Sequence, residues 1–293
     1  MKKILSFVIF LALISFTVSC AYFDIPFAIN LTTTQETTTT TTTLPTKVNG
    51  TITFENEDYE SLAVFHSSTY DLNDIDDYNQ NLYETKEYIR HANIVVNLVV
   101  YTQSYPWGLE TNRELVSSGS GFIFLEKDQY YYAITNYHVI ESNLTNTKVE
   151  IKTFSDSAYN TAEIVAYDAT LDLAVIKFAK FDRTDVTIID IYERLYYKFN
   201  TGELVMAVGN PSSLNNNVTF GEFKSMESLK DVDYNVLYHD ATISNGSSGG
   251  ALVDVDGNLL GVNTWGLEDS DEFSFAIPNY IVYSFLINKG ILD

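Results

Sequence analysis

Three kinds of side chain in this 293-residue chain have the chemistry to activate a hydroxyl. A serine hydroxyl is too weakly acidic to attack a carbonyl unaided, so it needs a base, and the base needs an orienting acid. The serine stands in NGSSGG, residues 245–250, where Ser247 and Ser248 sit among Gly246, Gly249 and Gly250. Glycines permit positive φ and close backbone approach, which suits a tight turn that presents a nucleophile beside bare N–H groups. The base candidate is His138 in YAITNYHVIES, and the acid candidate is Asp172 in YDATLDLAVIKF, with Asp168 as a local competitor. Each taken singly reads as a surface turn, a strand-end histidine or a turn-forming aspartate. Together they fall in the order His138, Asp172, Ser248, each at the edge of an extended stretch.

The elements that must position them are short and β-rich. From residue 93 onward about a dozen runs of β-branched and aromatic residues follow one another, among them IVVNLVVY (94–101), GSGFIFLE (119–126), YYYAITN (130–136), LAVIKF (173–178), ELVMAVGN (203–210), YHDATIS (238–244) and LLGVNTW (259–265). Turn-rich segments separate them and little helical period intervenes, which predicts an all-β barrel or sandwich. The last stretch, NYIVYSFLINKG, has Ile281, Phe285 and Leu286 at helical spacing and Gly290 as a stop, so it reads as a terminal helix. A second short helix is expected in NQNLYETKEYIRHA, just ahead of the first strand.

Composition narrows the partners. With 39 acidic against 17 basic side chains the formal net charge is −22, so nucleic-acid backbones are repelled. The single cysteine, Cys20, excludes an intramolecular disulfide and a multi-thiolate zinc site. The four histidines show no ligand spacing, and the acidic cluster DLNDIDD lacks the glycine and closing glutamate of an EF-hand loop, so neither metal nor cofactor is implied.

The first 20 residues, two lysines and then an apolar run too short to span a membrane, read as an export signal (1–20). It resembles a bacterial lipoprotein signal, which implies lipidation of Cys20, although Thr17 replaces the usual aliphatic residue three positions before it. The expected location is the outer face of the bacterial cytoplasmic membrane, or the medium if the chain is cleaved without lipidation. A threonine-rich tether (21–48), too poor in apolar area to pack, and an acidic extension (49–90) then lead to the β domain (91–293).

The strings GSGFIF, AITNYHVI, LDLAVIKF, VMAVGNP, VTFGEF, DATISNGSSGGALV, GNLLGVNT and FAIP occur in order over about two-thirds of the chain. They resemble the successive blocks of the HtrA/DegP-type serine proteases, a trypsin-fold family. That resemblance implies two six-stranded antiparallel β-barrels with a C-terminal helix and an active site between them. It implies an exported serine endopeptidase acting on unfolded or surface polypeptides through Ser248, selected over Ser247 by the two following glycines, with His138 as base and Asp172 as orienting acid. The amides of Gly246 and Ser248 would form the oxyanion hole. Ile243, Ser244, Asn245, Val262, Asn263 and Thr264 would line the substrate pocket, and since none is acidic, cleavage after small or medium aliphatic residues is expected. Ser247 and Ala251 stand where the family usually has asparagine and proline, and Tyr137 is bulkier than usual and is expected to narrow the cleft. Only 15 residues follow FAIP, too few for the family's PDZ domain, and the oligomeric state is left open. The alternative is a catalytically silent trypsin-fold surface lipoprotein that binds protein.

Overall fold

The computed structural model describes residues 62–66, 75–103, 111–180, 185–211, 216–230, 232–267 and 270–292. All belong to one compact unit, Thr42–Asp293. The chain runs β1 (Ala63–Val64), α1 (Ile75–Ala92), β2 (Asn93–Gln103), β3 (Thr111–Lys127), β4 (Tyr130–Thr135), α2 (Tyr137–Ile140), β5 (Thr147–Thr153), β6 (Asn160–Asp168) and β7 (Leu173–Ala179). It continues through β8 (Tyr197–Lys198), β9 (Leu204–Gly209), β10 (Asn217–Ser228), β11 (Asn235–His239), β12 (Ala251–Val253), β13 (Leu259–Leu267), β14 (Ser270–Pro278) and α3 (Asn279–Asn288). Two closed six-stranded barrels result, ordered β2-β3-β4-β7-β6-β5 and β10-β11-β14-β13-β12-β9, each with antiparallel pairings throughout. The two-barrel expectation from the sequence blocks is met.

The apolar runs are continuous because several strands are buried on both faces, and side chains alternate across a strand with a period of two. In β7, Ala174, Ile176 and Phe178 fill the first barrel, while Leu173 and Val175 face a separate core. β3 and β4 divide the same way, with Ile123 and Ala133 inward and Phe122 and Ile134 outward. That second core also takes Met206, Val208, Val253, Val262 and Ile277 from the second barrel, so it joins the two barrels. The third core, with Val205, Ala207, Leu237 and Leu252, fills the second barrel.

α1 is longer than the expected short helix, with 18 residues that cross the expected junction at 90/91. Tyr78, Leu82, Thr85, Ile89 and Ala92 are buried at steps of three and four, one helical stripe. Tyr78 and Leu82 pack with Leu204 and Val255, and Ile89 and Ala92 enter the core between the barrels. Polar residues between these positions mask the stripe in sequence.

Strand ends also moved. β3 begins at Thr111 rather than 119 because its polar first half, TNRELVSS, pairs with the outer half of β2 in a ribbon whose Leu115 and Val116 stay exposed. β11 stops at His239, and 240–244 leave the ladder. Gly221 makes room there, since a Cβ on it would lie 2.1 Å from Ala241 N. α3 ends as expected at Gly290, whose φ is +67°, with Ile291 N donating to Leu286 O at 3.0 Å. No helix among the described residues is long and apolar enough to cross a membrane, and no metal-ligating cluster occurs among them. The signal, Cys20, the tether and positions 49–61 and 67–74 of the acidic extension, the latter with the first half of the DLNDIDD cluster, lie outside the described residues.

Candidate active site

Each of the three chemical side chains sits where a strand ends. His138 lies on α2, the single turn after β4, and Asp172 in the turn before β7. Ser248 lies in the loop before β12, contributed by the other barrel.

Asp172 is the most constrained of them. Its backbone is left-handed, φ +53°, a conformation that aspartate tolerates better than most residues. Its carbonyl accepts from Asn136 Nδ2 at 2.8 Å and from Tyr137 N at 3.2 Å. One carboxylate oxygen accepts from the His138 amide at 2.9 Å, and the other is 2.8 Å from His138 Nδ1 and 2.9 Å from Thr264 Oγ1. A carboxylate can only accept, so a His138 proton is on Nδ1, and in the neutral ring that leaves the lone pair on Nε2, the form of a base. Asp168, the competitor, is used locally: its Oδ1 accepts from Thr170 N and Leu171 N at 3.1 and 3.2 Å.

Thr264, on β13 of the second barrel, also reaches the serine. Ser248 Oγ donates to Thr264 O at 3.4 Å, a long bond, and among the described residues the hydroxyl makes no bond to His138. Thr264 thereby touches both Asp172, through its side chain, and Ser248, through its backbone. Ser247 is buried, and its Oγ accepts from Ser244 N at 3.4 Å, so it belongs to the loop itself.

The loop leaves two amides bare. Ser247 N donates to Ser244 O, Gly249 N to Asn263 O and Gly250 N to Ser247 O, at 2.8 to 3.0 Å. Among the described residues the Gly246 and Ser248 amides have no acceptor. Gly246 takes φ +100° and Gly249 +87°, which no other residue type adopts readily. Two unspent donors two positions apart, one of them the amide of Ser248 itself, are the kind of group an oxyanion requires.

Residues 119–262, from the second half of β3 to the first part of β13 and including all three side chains, match the family model described as Trypsin-like peptidase domain. The matched segment thus resembles a trypsin-like peptidase domain. Serine protease HTR4 of Rattus norvegicus is 36% identical over 195 residues, 64% of this chain and 37% of that protein. Serine protease HTRA4 of Homo sapiens is 37% identical over 177 residues, 58% of this chain and 34% of that protein. The crystal structure of a serine endoprotease from Yersinia pestis is similar with a TM-score of 0.54 and 29% identity, covering 72% of this chain and 66% of that one. The HtrA resemblance read from the ordered blocks is thus borne out, and the chain spans a little over a third of the length of the first of these curated relatives.

Within the trypsin-like domain the expected pocket lining divides. Ser244 and Asn245 are exposed beside the nucleophile loop and Ile243 is half-buried against the core of the second barrel. Val262 is fully buried in the core between the barrels. Asn263 is also fully buried; its backbone anchors the loop to β13, with Asn263 N donating to Gly250 O at 2.9 Å. Tyr137 stacks face to face on Tyr167, with ring centroids 4.8 Å apart. Thr264 was expected only as pocket lining, and Asn136 was not singled out. Nothing in the local sequence links either to Asp172, because those bonds span 92 and 36 positions.

Proposed function

We propose that this chain is an exported serine endopeptidase that hydrolyses peptide bonds in unfolded or surface polypeptides. The observation that carries the reading is the bonding of Thr264 to both Asp172 and Ser248, which gathers the base, the acid and the nucleophile at the seam of two barrels. In the reaction, Ser248 Oγ turns from Thr264 O to His138 Nε2, gives up its proton and attacks the substrate carbonyl. Asp172 holds the imidazole in the required tautomer and stabilises its positive charge. The tetrahedral oxyanion faces the Gly246 and Ser248 amides, a contribution of ~3–4 kcal/mol per donor. His138 then protonates the leaving amine, and water hydrolyses the acyl group on Ser248 by the same route reversed.

The absence of an acid among Ile243, Ser244, Asn245, Val262, Asn263 and Thr264 supports cleavage after small or medium aliphatic residues. A peptide-library digest dominated by cuts after Lys or Arg would overturn that specificity. Export rests on the sequence of residues 1–20, and lipid anchoring rests on Cys20. Wild-type protein is expected to need detergent for extraction, and a Cys20→Ala form that stays equally membrane-bound would sink the anchor.

The decisive experiment is labelling with a fluorophosphonate alongside a casein assay. Wild type is expected to label and cleave, and Ser248→Ala to do neither. A wild type that does neither leaves the alternative of a silent protein-binding lipoprotein.

A further inference from the structure

Two backbone carbonyls of the nucleophile loop are held by one residue of the other barrel. Ser120, in β3, is fully buried. Its Oγ donates to Gly246 O at 2.6 Å, and its amide donates to Ser248 O at 2.8 Å. A hydroxyl has one proton, so with that proton on Gly246 O the oxygen acts as acceptor towards Asn210, whose N lies at 2.7 Å and Nδ2 at 3.3 Å.

The geometry of a polypeptide makes this hold consequential. Peptide units are planar, and neighbouring planes share a Cα. Ser120 pins the plane that carries Gly246 O and the plane that carries Ser248 O. The plane between them carries the Ser248 amide, so its freedom is limited from both sides. The plane ahead of them carries the Gly246 amide. The loop is seated hard on this support: a Cβ on Gly249 would lie 2.2 Å from Ser120 O, and one on Gly246 would lie 2.5 Å from Asn210 O.

The support continues away from the site. Asn210 Nδ2 donates to Ile94 O at 2.8 Å, and Asn210 Oδ1 accepts from Asn216 N at 2.8 Å. Asn216, buried and left-handed at φ +58°, donates through Nδ2 to Arg90 O at 2.7 Å. Its Oδ1 accepts from Asn93 Nδ2 at 3.0 Å, and its carbonyl accepts from Arg90 Nε at 3.3 Å. An unbroken set of hydrogen bonds therefore joins the last turn of α1 to the Gly246 and Ser248 carbonyls, in the peptide planes next to the two bare amides.

We infer that Ser120 is the positioning residue of the oxyanion loop, and that Asn210 and Asn216 extend its hold to the C-terminal end of α1. This rests on the peptidase reading above. It makes α1 part of the device that aims the amides, in addition to its packing role.

The test uses the full chain with Ser120→Ala, which removes the Oγ bonds and keeps the amide bond, and Asn216→Gly, which keeps the positive φ and removes the side-chain bonds to Arg90 and Asn93. Donors misplaced for the transition state lower kcat while leaving ground-state binding intact, so Ser120→Ala is expected to lose ~10–100-fold in kcat with KM nearly unchanged. The His138–Asp172 pair is untouched, so the pH profile should keep its shape. Asn216→Gly should lose less, in the same sense. Amide hydrogen exchange of 244–250 should quicken in Ser120→Ala while the barrel strands keep their protection. A rise in KM at constant kcat, a kcat within twofold of wild type, or loss of protection throughout both barrels would overturn the inference. If wild type itself neither labels nor cleaves, the peptidase reading fails on that result, and the exchange measurement alone decides whether Ser120 holds the loop.

Discussion

Thr264 does two jobs with different atoms. Its hydroxyl bonds the Asp172 carboxylate at 2.9 Å and its carbonyl receives the Ser248 hydroxyl at 3.4 Å. Thr264→Val keeps the shape and the carbonyl but removes the donor to a charged acceptor. Such a bond contributes about 1.5–3 kcal/mol, which predicts a kcat loss of roughly 10–100-fold. On the proposed mechanism KM should change little, because Asp172 would act on the imidazole and not on bound substrate. Steady-state kinetics on one peptide decides this, and a KM effect alone would place Thr264 in substrate binding instead.

At the scale of elements, α1 and the segment before β8 are tied into the second barrel by different physics. α1 relies on apolar burial. Ile89 is fully buried in the core between the barrels, and Ile89→Ala is expected to lower unfolding free energy by about 2–5 kcal/mol in urea titrations. The segment before β8 is tied by charge. Arg194, fully buried, donates to Glu203 Oε2 at 3.1 Å and to Asp254 Oδ2 at 2.9 Å, and lies 4.5 Å from the centre of the Phe65 ring. Asp254 also receives Asp256 N and Asn258 N, so it organises the turn after β12 as well. Arg194→Met leaves two carboxylates short of their counter-charge and is expected to cost about 3–5 kcal/mol. The same titration measures it, and a variant as stable as wild type would mean the carboxylates are solvated after the change.

Across the whole molecule, one buried group couples stability to pH. His239, in the core of the second barrel, is fully buried, with Asn263, Asp240 and the Ala241 backbone beside its ring. Burial penalises its charged form and pushes its pKa down from 6.5 to about 4. Between those values the unfolded chain binds the proton and the folded one does not. The contribution is therefore intact above pH 6.5, falls as pH drops through this window, and is fully lost below about 4. That window is worth about 3 kcal/mol. Urea unfolding at several pH values should show a shallower loss in His239→Gln than in wild type, and equal slopes would place the acid sensitivity elsewhere.

Chemistry types, their order, the β-rich class and the terminal helix were legible in sequence because each is a local pattern: glycines around serines, period-two runs, a helical repeat closed by Gly290. The choice of Ser248 over Ser247 came from the family resemblance of the block and is part of the proposed function. Tertiary structure decided what depends on contacts across the chain. It set which alternate residues of β3, β4 and β7 fill a barrel and which face the core between barrels. It also showed that Val262 and Asn263 belong to packing and loop anchorage, and that α1 extends across residue 90 into that core. The bonds that aim the site, Thr264 to Asp172 and Ser120 to Gly246, join residues 92 and 126 positions apart, and such pairings form only when two barrels close against each other.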